Sequence, residues 1–460
     1  MIVFSNICIW IEYMALIASS KDISKSQDTP KSQDIPKKNT ITVLDGVRGF
    51  ACLLVIFYHV SAFTRVKHIW SFKEVGTIPS AIALVGSYGV TLFFVLSGFL
   101  LFLPYAKAMI FQESWPSMRT FYIRRICRIW PGYYVALFLM IIFAAPVYLQ
   151  IDHWKQLALF LTFLMDSSHS TYQAINGPFW TLAVEWQYYM LLPFIALGIR
   201  WFVSRSEDKW KVATLFTCLL AMILWGLATR AWGRSWDINP HQPLWLPLPV
   251  HYAVRFVIYG QSGKFFEDFA IGMMVCTCYL LTQRRPEQSM SILIKRYSWC
   301  IWLLGVLGFC FMTFWYDTSW YSVLVPYIGA HNWLCELGFA LSFGLCILGV
   351  LFGPPVITWL WESAPLCKIG MLSYGLYIWH EPTLLWFMDN VFPYFNSWPT
   401  VARYGLYWVC VFGLLVPFCY LIYRFIEAPA VRLGASLTRS QKAMRPVTDQ
   451  TTKEMVTMQP

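Results

Sequence analysis

The first long apolar stretch of the chain, LDGVRGFACLLVIFYHVSAF, contains two side chains suited to anion binding and proton transfer, Arg48 and His59. They stand eleven residues apart, and eleven steps of about 100° return to within ~20° of the same helix face. At 1.5 Å per residue the two side chains are ~16 Å apart along the axis. One helix face thus carries a cation and, deeper in, an imidazole, which suits a long ligand with an anionic head and a reactive tail.

A structural interpretation of this pair stays open. Arg48 can extend to the membrane interface and pair with Asp45, three residues earlier, while His59 hydrogen-bonds a neighbouring helix. However, an ionisable residue inside a membrane span costs at least ~2.5–3.5 kcal/mol. Each such residue is therefore a candidate for function.

Further costly polar residues occur in later apolar runs. Glu185, in FWTLAVEWQYYMLLPF, is predicted at about the depth of His59, where a carboxylate would fix the imidazole tautomer and raise its basicity. A structural polar contact is the alternative for Glu185. His380 and Glu381 form a second costly pair in SYGLYIWHEPTLL. Ser97, in FFVLSGFLLF, favours close helix packing, with the approach of a ligand as the alternative.

Basic residues precede the third apolar run in FYIRRICRIWPGYY. Arg125 and Arg128 are three residues apart, so they share a helix face and could bind phosphates. Arginines at this position are equally common as topology signals and lipid-headgroup contacts. Six of the eight histidines fall in predicted outer loops without ligand spacing, so we predict no metal site.

The composition indicates what must position these residues. Hydrophobic residues make up 58% of the chain and charged residues 13%, whereas a soluble domain has about 45–50% and 25%. The apolar runs are continuous over about 20 residues, which predicts membrane-spanning helices rather than a barrel. The net charge of +11 agrees with the positive-inside rule and is not evidence for nucleic-acid binding. The fold is therefore predicted as all-α, a polytopic integral membrane protein.

About ten transmembrane helices are predicted. They lie near 43–64, 81–103, 131–149, 178–199, 212–231, 265–282, 299–316, 333–353, 369–391 and 404–425. A weaker run at 156–166 is too short to cross and predicts a re-entrant or interfacial helix. With both termini cytoplasmic, about 25 of the 35 Lys and Arg residues fall on the inner side.

Three regions follow from this organisation. Residues 1–40 combine an apolar segment with a polar tail predicted to be disordered, residues 41–435 form the membrane domain, and residues 436–460 are a cytoplasmic polar tail.

Six motifs together resemble the acyltransferase 3 family of membrane O-acyltransferases. In chain order they are LDGVRGFACLLVIFYH, FFVLSGFLL, RRICRIWPGYY, FWTLAVEWQYY, SYGLYIWHEP and RFIEAPAVRL. The resemblance implies location in the cell membrane, the cytoplasmic membrane if the source is bacterial. It also implies an acyl-CoA donor, acetyl-CoA by default, without a permanently bound cofactor. The acceptor would be a carbohydrate or glycolipid hydroxyl on the outer side, with a separate extracytoplasmic partner as an option.

The resemblance also implies roles for individual residues: His59 is the catalytic histidine, Arg48 its motif partner, and Arg125 with Arg128 a donor-binding element. Our hypothesis is that the coenzyme phosphates bind these arginines, that the pantetheine arm follows the first span, and that His59, oriented by Glu185, deprotonates the acceptor. Ser97 and His380 are further candidate substrate contacts. A ping-pong variant stays open.

The alternative function is that of a transporter or flippase. In that case the intramembrane histidines, glutamate and arginine would form a proton relay.

Overall fold

The fold is all-α. The computed structural model describes residues 39–67, 78–238, 247–317 and 333–443, and no strand occurs in these ranges. The α-helices are α1 Asn39–Val66, α2 Ile78–Leu84, α3 Gly89–Ile110, α4 Met118–Phe143, α5 Trp154–Leu161, α6 Phe179–Arg205, α7 Lys211–Ile238, α8 Leu248–Ile258, α9 Phe266–Arg284, α10 Ser289–Arg296, α11 Ser298–Asp317, α12 Trp333–Phe352, α13 Pro355–Trp361, α14 Ala364–Asn390, α15 Thr400–Cys410, α16 Val416–Ile422 and α17 Ala428–Ala443. Single π-helical turns, Val411–Leu415 and Tyr423–Glu427, join the last three into one continuous rod.

Eight helical segments in the described ranges are long and apolar enough to cross a bilayer, which confirms an all-α polytopic membrane protein. They include α1, α4, α6, α7, α11 and α12, together with the α2–α3 segment and the α15–α17 rod. The predicted spans at 265–282 and 369–391 coincide with α9 and α14, which are long but less apolar. Each of the ten predicted spans therefore lies on a helix.

The predicted start of the third span was wrong. Sequence analysis began it at residue 131, after the arginines, because charges are costly in lipid. Instead α4 begins at Met118, where Ser117 caps the helix by accepting a hydrogen bond from the Thr120 N–H at 3.4 Å. The arginines do not need to face lipid: Arg124 Nε, for example, donates to Thr438 Oγ1 on α17 at 3.3 Å.

Two further boundaries can be compared with the sequence. The weak run at 156–166 overlaps α5, Trp154–Leu161, whose eight residues are too few to cross a bilayer. The rod continues through α17 to Ala443, beyond the predicted domain end at 435. The predicted segment 1–40 falls almost wholly outside the described residues, as does 444–460 of the C-terminal tail. The orientation of the termini stays a prediction.

Small residues set the position of α3, which carries Ser97. At Gly98 and Gly272 the backbones of α3 and α9 approach so closely that a Cβ on Gly98 would lie 2.8 Å from the Phe269 carbonyl carbon. This is the close packing that the Ser97–Gly98 sequence favoured. Since Ser97 precedes the contact glycine, its side chain is directed elsewhere and lines a cavity.

Candidate active site

The first helix, α1, and α14 lie side by side, parallel and in a fixed register. Three contacts define this register, each between residues 321 positions apart: Gly49 with Gly370, Cys52 with Ser373, and His59 with His380. Partners advance together along both helices, so the helices run in the same direction. Glycine at the first contact removes the side chains that would separate the backbones. The register therefore determines which α14 residue faces His59.

A pair of histidines and a glutamate lie together at the third contact. His59 Nδ1 is 2.9 Å from the Val55 carbonyl oxygen and 3.2 Å from His380 Nε2. The two rings are edge to face, with centroids 4.6 Å apart. His59 Nε2 is 3.9 Å from Glu381 Oε2, and the side chains of His59 and Glu381 are each 20% exposed. His380 is fully buried, so the cluster is open only on the side of His59 and Glu381.

A cavity of about 950 Å³ lies between the helices that carry the other candidate residues. Its lining includes Arg48 of α1, Phe93 and Ser97 of α3, Arg124, Arg125 and Arg128 of α4, Thr181, Glu185 and Tyr189 of α6, Lys368, Tyr374 and Tyr377 of α14, and Arg439 of α17. The cavity follows α14 from Ala364 to Tyr377, thirteen residues or ~20 Å along the helix. The first helix contributes only Asp45 and Arg48, so the cavity does not follow α1 as our hypothesis had it.

The cavity is strongly cationic. Its lining contains five arginines and one lysine against two carboxylates, Asp45 and Glu185. Arg48 donates to Asp45 at 2.9 Å. Arg125 Nε is buried without a hydrogen-bond partner in the described part of the chain. The candidate residues Arg48, Arg125 and Arg128 thus line one cavity. The positive charge of the cavity suits a ligand with several negative charges.

Glu185 is held inside this cavity and away from His59. Its Oε1 accepts a hydrogen bond from Ser97 Oγ at 2.5 Å and another from the hydroxyl of Tyr189. It also interacts electrostatically with Arg48. The predicted contact between Glu185 and His59 is therefore not formed. Depth along the membrane normal was the only coordinate that the sequence provided for that prediction, and α6 presents Glu185 to α3 instead.

A tyrosine separates the cavity from the histidines. Tyr377 lines the cavity, and its ring centroid is 5.7 Å from that of His380. Thr181 Oγ1 donates to the Pro178 carbonyl oxygen at 2.9 Å, so the Tyr377 hydroxyl donates to Thr181 Oγ1 at 2.6 Å. Of the candidate site residues, Arg48 and Ser97 line the cavity on one side of this hydrogen bond. His59 and His380 lie on the other side.

Several site residues were not singled out from the sequence. Tyr189 lies four residues after Glu185 and Tyr377 three residues before His380, so both share a helix face with a predicted residue. That spacing is the signal that could have identified them. Lys368 and Arg439 had no such signal, because neither stands three or four residues from a predicted site residue.

Comparison with known proteins gives the class of reaction. A family model described as an acyltransferase domain matches residues 41–424. The chain belongs to the acyltransferase 3 family. This confirms the resemblance drawn from the six motifs, and it confirms the prediction of a membrane O-acyltransferase at the level of the reaction class.

Individual relatives of this acyltransferase are distant. It is 23% identical over 345 residues to a putative acetyltransferase, ORF330, of Acidianus two-tailed virus, covering 75% of this chain and 83% of the relative. It is 23% identical to the peptidoglycan O-acetyltransferase OatA of Listeria monocytogenes and 24% identical to the O-acetyltransferase OatA of Staphylococcus aureus. Both alignments cover 85% of this chain, which spans only 56% and 57% of those two proteins. No solved structure matches.

The family and the helices together identify a multi-pass protein of the cell membrane. In the part of the acyltransferase that the structure describes, no group of three or more His, Cys, Asp or Glu side chains is arranged to hold a metal ion. The side chains around the histidine pair and the cavity include imidazole, carboxylate, guanidinium and phenol groups.

Proposed function

We propose that this chain moves an acetyl group from cytoplasmic acetyl-CoA to a hydroxyl group of a carbohydrate acceptor on the outer side of the membrane. The observation that carries the proposal is a large cationic cavity that ends one tyrosine away from a paired, partly exposed histidine. Two of its relatives are named as O-acetyltransferases, which supports the choice of acetyl as the acyl group and of a hydroxyl as the acceptor.

The cavity fits the donor by charge and by shape. Coenzyme A carries phosphates at one end of a long, thin arm and the thioester at the other. Arginines bind phosphates through charge-assisted, often bidentate hydrogen bonds. Arg48, Arg125 and Arg128 would hold the phosphates, and the arm would extend along α14 toward Tyr377. Ser97 and Glu185 line this route and would contact the arm.

The acceptor would approach from the other side. The predicted excess of Lys and Arg in inner segments supports an arginine-lined mouth that faces the cytoplasm. The acceptor hydroxyl would then reach His59 and Glu381, which are partly exposed on the other side of Tyr377. For transfer, the side chain of Tyr377 must rotate, because its hydrogen bond to Thr181 lies between donor and acceptor.

His59 serves as the general base in this proposal. The acceptor oxygen bonds to the acyl carbon and the carbon–sulfur bond breaks. The hydroxyl proton passes to His59 Nε2 and from there to the departing thiolate, so coenzyme A leaves as the thiol. A general base of this kind contributes about 10²–10⁴-fold to the rate.

The test is transfer by the purified, reconstituted chain from acetyl-CoA with a labelled acetyl group. N-acetylglucosamine oligosaccharides serve as a first acceptor probe, and coenzyme A release is followed by chromatography. We expect label in the glycan, a loss of about 10²–10⁴-fold in His59→Gln, and wild-type transfer in His169→Gln, which replaces an exposed histidine away from the site.

Undiminished transfer in His59→Gln would refute the proposed chemistry. Absence of coenzyme A release with every acceptor, together with movement of a solute across the vesicle membrane, would favour the transporter. Incorporation of free coenzyme A, labelled in the coenzyme itself, into acetyl-CoA without acceptor would indicate the ping-pong variant.

A further inference from the structure

The proposed function leaves open what orients His59, since Glu185 does not contact it. His380 does, and its own hydrogen bonds determine where its hydrogen lies. His380 Nδ1 is 2.8 Å from the Tyr377 carbonyl oxygen and 3.2 Å from the Leu376 carbonyl oxygen. Carbonyl oxygens only accept, so Nδ1 carries the hydrogen. The Nε2 atom of a neutral His380 is consequently an acceptor.

The same reasoning continues to His59. Its Nδ1 faces two acceptors, the Val55 carbonyl oxygen at 2.9 Å and His380 Nε2 at 3.2 Å. Nδ1 of His59 must therefore carry its hydrogen too. The lone pair of the neutral ring is left on Nε2, the nitrogen that faces Glu381. The Val55 carbonyl and the chain of hydrogen bonds from the α14 backbone together select one tautomer of His59.

Glu381 is placed to respond when that lone pair takes up a proton. Its Oε2 is 3.9 Å from His59 Nε2 and has no hydrogen-bond partner among the described residues. The backbone of Gly177 lies against the same carboxylate, since a Cβ on that glycine would overlap Glu381 Oε2. A proton arriving on His59 Nε2 would meet a fixed negative charge, which stabilises the imidazolium. The gap of 3.9 Å also leaves room for an acceptor hydroxyl to reach Nε2.

We infer that His380 is a positioning residue that keeps the hydrogen of neutral His59 on Nδ1, and that Glu381 stabilises the imidazolium formed when Nε2 takes the acceptor proton. This inference rests on the proposed function, since it presupposes that His59 is the general base. The described titratable groups against the His59 ring are Tyr58 on its own helix, with ring centroids 5.0 Å apart, and His380 and Glu381 on α14.

The first test is Glu381→Gln, which has the same shape and lacks the charge. Without the carboxylate the imidazolium loses its partner, so kcat should fall and the acidic limb of its pH profile should move to lower pH by about one unit. The KM for acetyl-CoA should not change, because Glu381 does not line the donor cavity. Glu287→Gln, at an exposed position, is the matched control.

The second test compares His380→Gln with His380→Leu. The glutamine amide oxygen can still accept from His59 Nδ1, whereas leucine cannot. We expect Gln to retain about 10-fold more kcat than Leu, with KM for acetyl-CoA similar in both. If His380 served only in packing, the kcat of His380→Leu would equal or exceed that of His380→Gln. Alternatively, both variants would give less folded protein without a higher kcat for His380→Gln.

The outcomes separate the inference from the proposed function. Full activity of His59→Gln would overturn the proposed function and the inference together. An inactive His59→Gln with an unmoved acidic limb in Glu381→Gln, or with equal kcat in the two His380 variants, would overturn the inference alone. If His380→Leu is not recovered folded, two measurements test the inference in its place. They are the shift of the acidic limb of the pH profile in Glu381→Gln and the kcat of His380→Gln.

Discussion

Adding one methyl group at Gly370 should inactivate the enzyme without touching a reactive side chain. Gly370 is where α14 lies against α1, level with Gly49. A Cβ at Gly370 would overlap the Asp45 carbonyl oxygen, would lie 2.7 Å from the Asp45 carbonyl carbon, and would be 3.1 Å from the Gly49 nitrogen. These are backbone atoms, which cannot turn aside as a flexible side chain can. Gly370→Ala must therefore separate the two helices.

The size of the separation follows from these contacts. Carbon atoms pack at about 3.5–4.0 Å, so the helices must move apart by ~1 Å at this point. If α14 moves as a rigid rod, the distance of 3.2 Å between His59 Nδ1 and His380 Nε2 grows to about 4 Å. That is beyond a hydrogen bond. A misplacement of ~1 Å in catalytic geometry can cost about 10²-fold in rate.

The assay is acetyl transfer by Gly370→Ala, with thermal stability measured in the same preparation. Gly405→Ala is the matched control, because it adds the same methyl group to a helix where no atom lies within 4 Å. We expect the control to keep wild-type kcat and to be slightly more stable, since alanine favours helix over glycine by ~0.5–1 kcal/mol. Wild-type kcat in folded Gly370→Ala would refute the idea that the α1–α14 register positions His59.

Three further predictions test other parts of the structure. Arg125→Gln should raise the KM for acetyl-CoA by about 10-fold or more through lost phosphate contacts, with little change in Arg285→Gln, an exposed arginine outside the cavity. Arg230→Met should lower the unfolding free energy by about 3–5 kcal/mol in a denaturation assay, because it removes the partner of buried Glu267, which lies 2.8 Å from Arg230. Arg234→Met, at an exposed position, should leave the unfolding free energy unchanged. Thr181→Val should raise acceptor-independent hydrolysis of acetyl-CoA relative to transfer, because the Tyr377 hydroxyl loses its acceptor; an unchanged ratio would argue against a closing role.

The helices were predictable because a span in lipid must be apolar along its whole length. The error at α4 came from the same rule. Charges were assigned to a loop, since the sequence does not reveal that such charges will line a cavity between helices, as Arg125 and Arg128 do. A predicted boundary therefore fails where a charged residue faces protein.

The site was predictable only in part, for a geometric reason. Sequence gives the depth of a residue along a span and its neighbours on the same helix face. It does not give which other helix lies beside that face. Arg48, Arg125 and Arg128 could be singled out because each is costly or clustered, and they line one cavity, but their role in binding stays a prediction. The contact between His59 and His380 depends on a register of 321 residues, which nothing in either helix specifies.

The arrangement of charge gives the site a direction. Positive charge dominates the cavity on one side of Tyr377, whereas a carboxylate, Glu381, stands beside His59 on the other. An anionic donor is therefore attracted to the arginines and repelled from the histidine side, where a neutral hydroxyl acceptor meets no such barrier. The hydrogen bond between Tyr377 and Thr181 lies between these two groups of charges. Under the proposed function, this polarity lets one histidine take a proton from a carbohydrate without exposing the thioester to water.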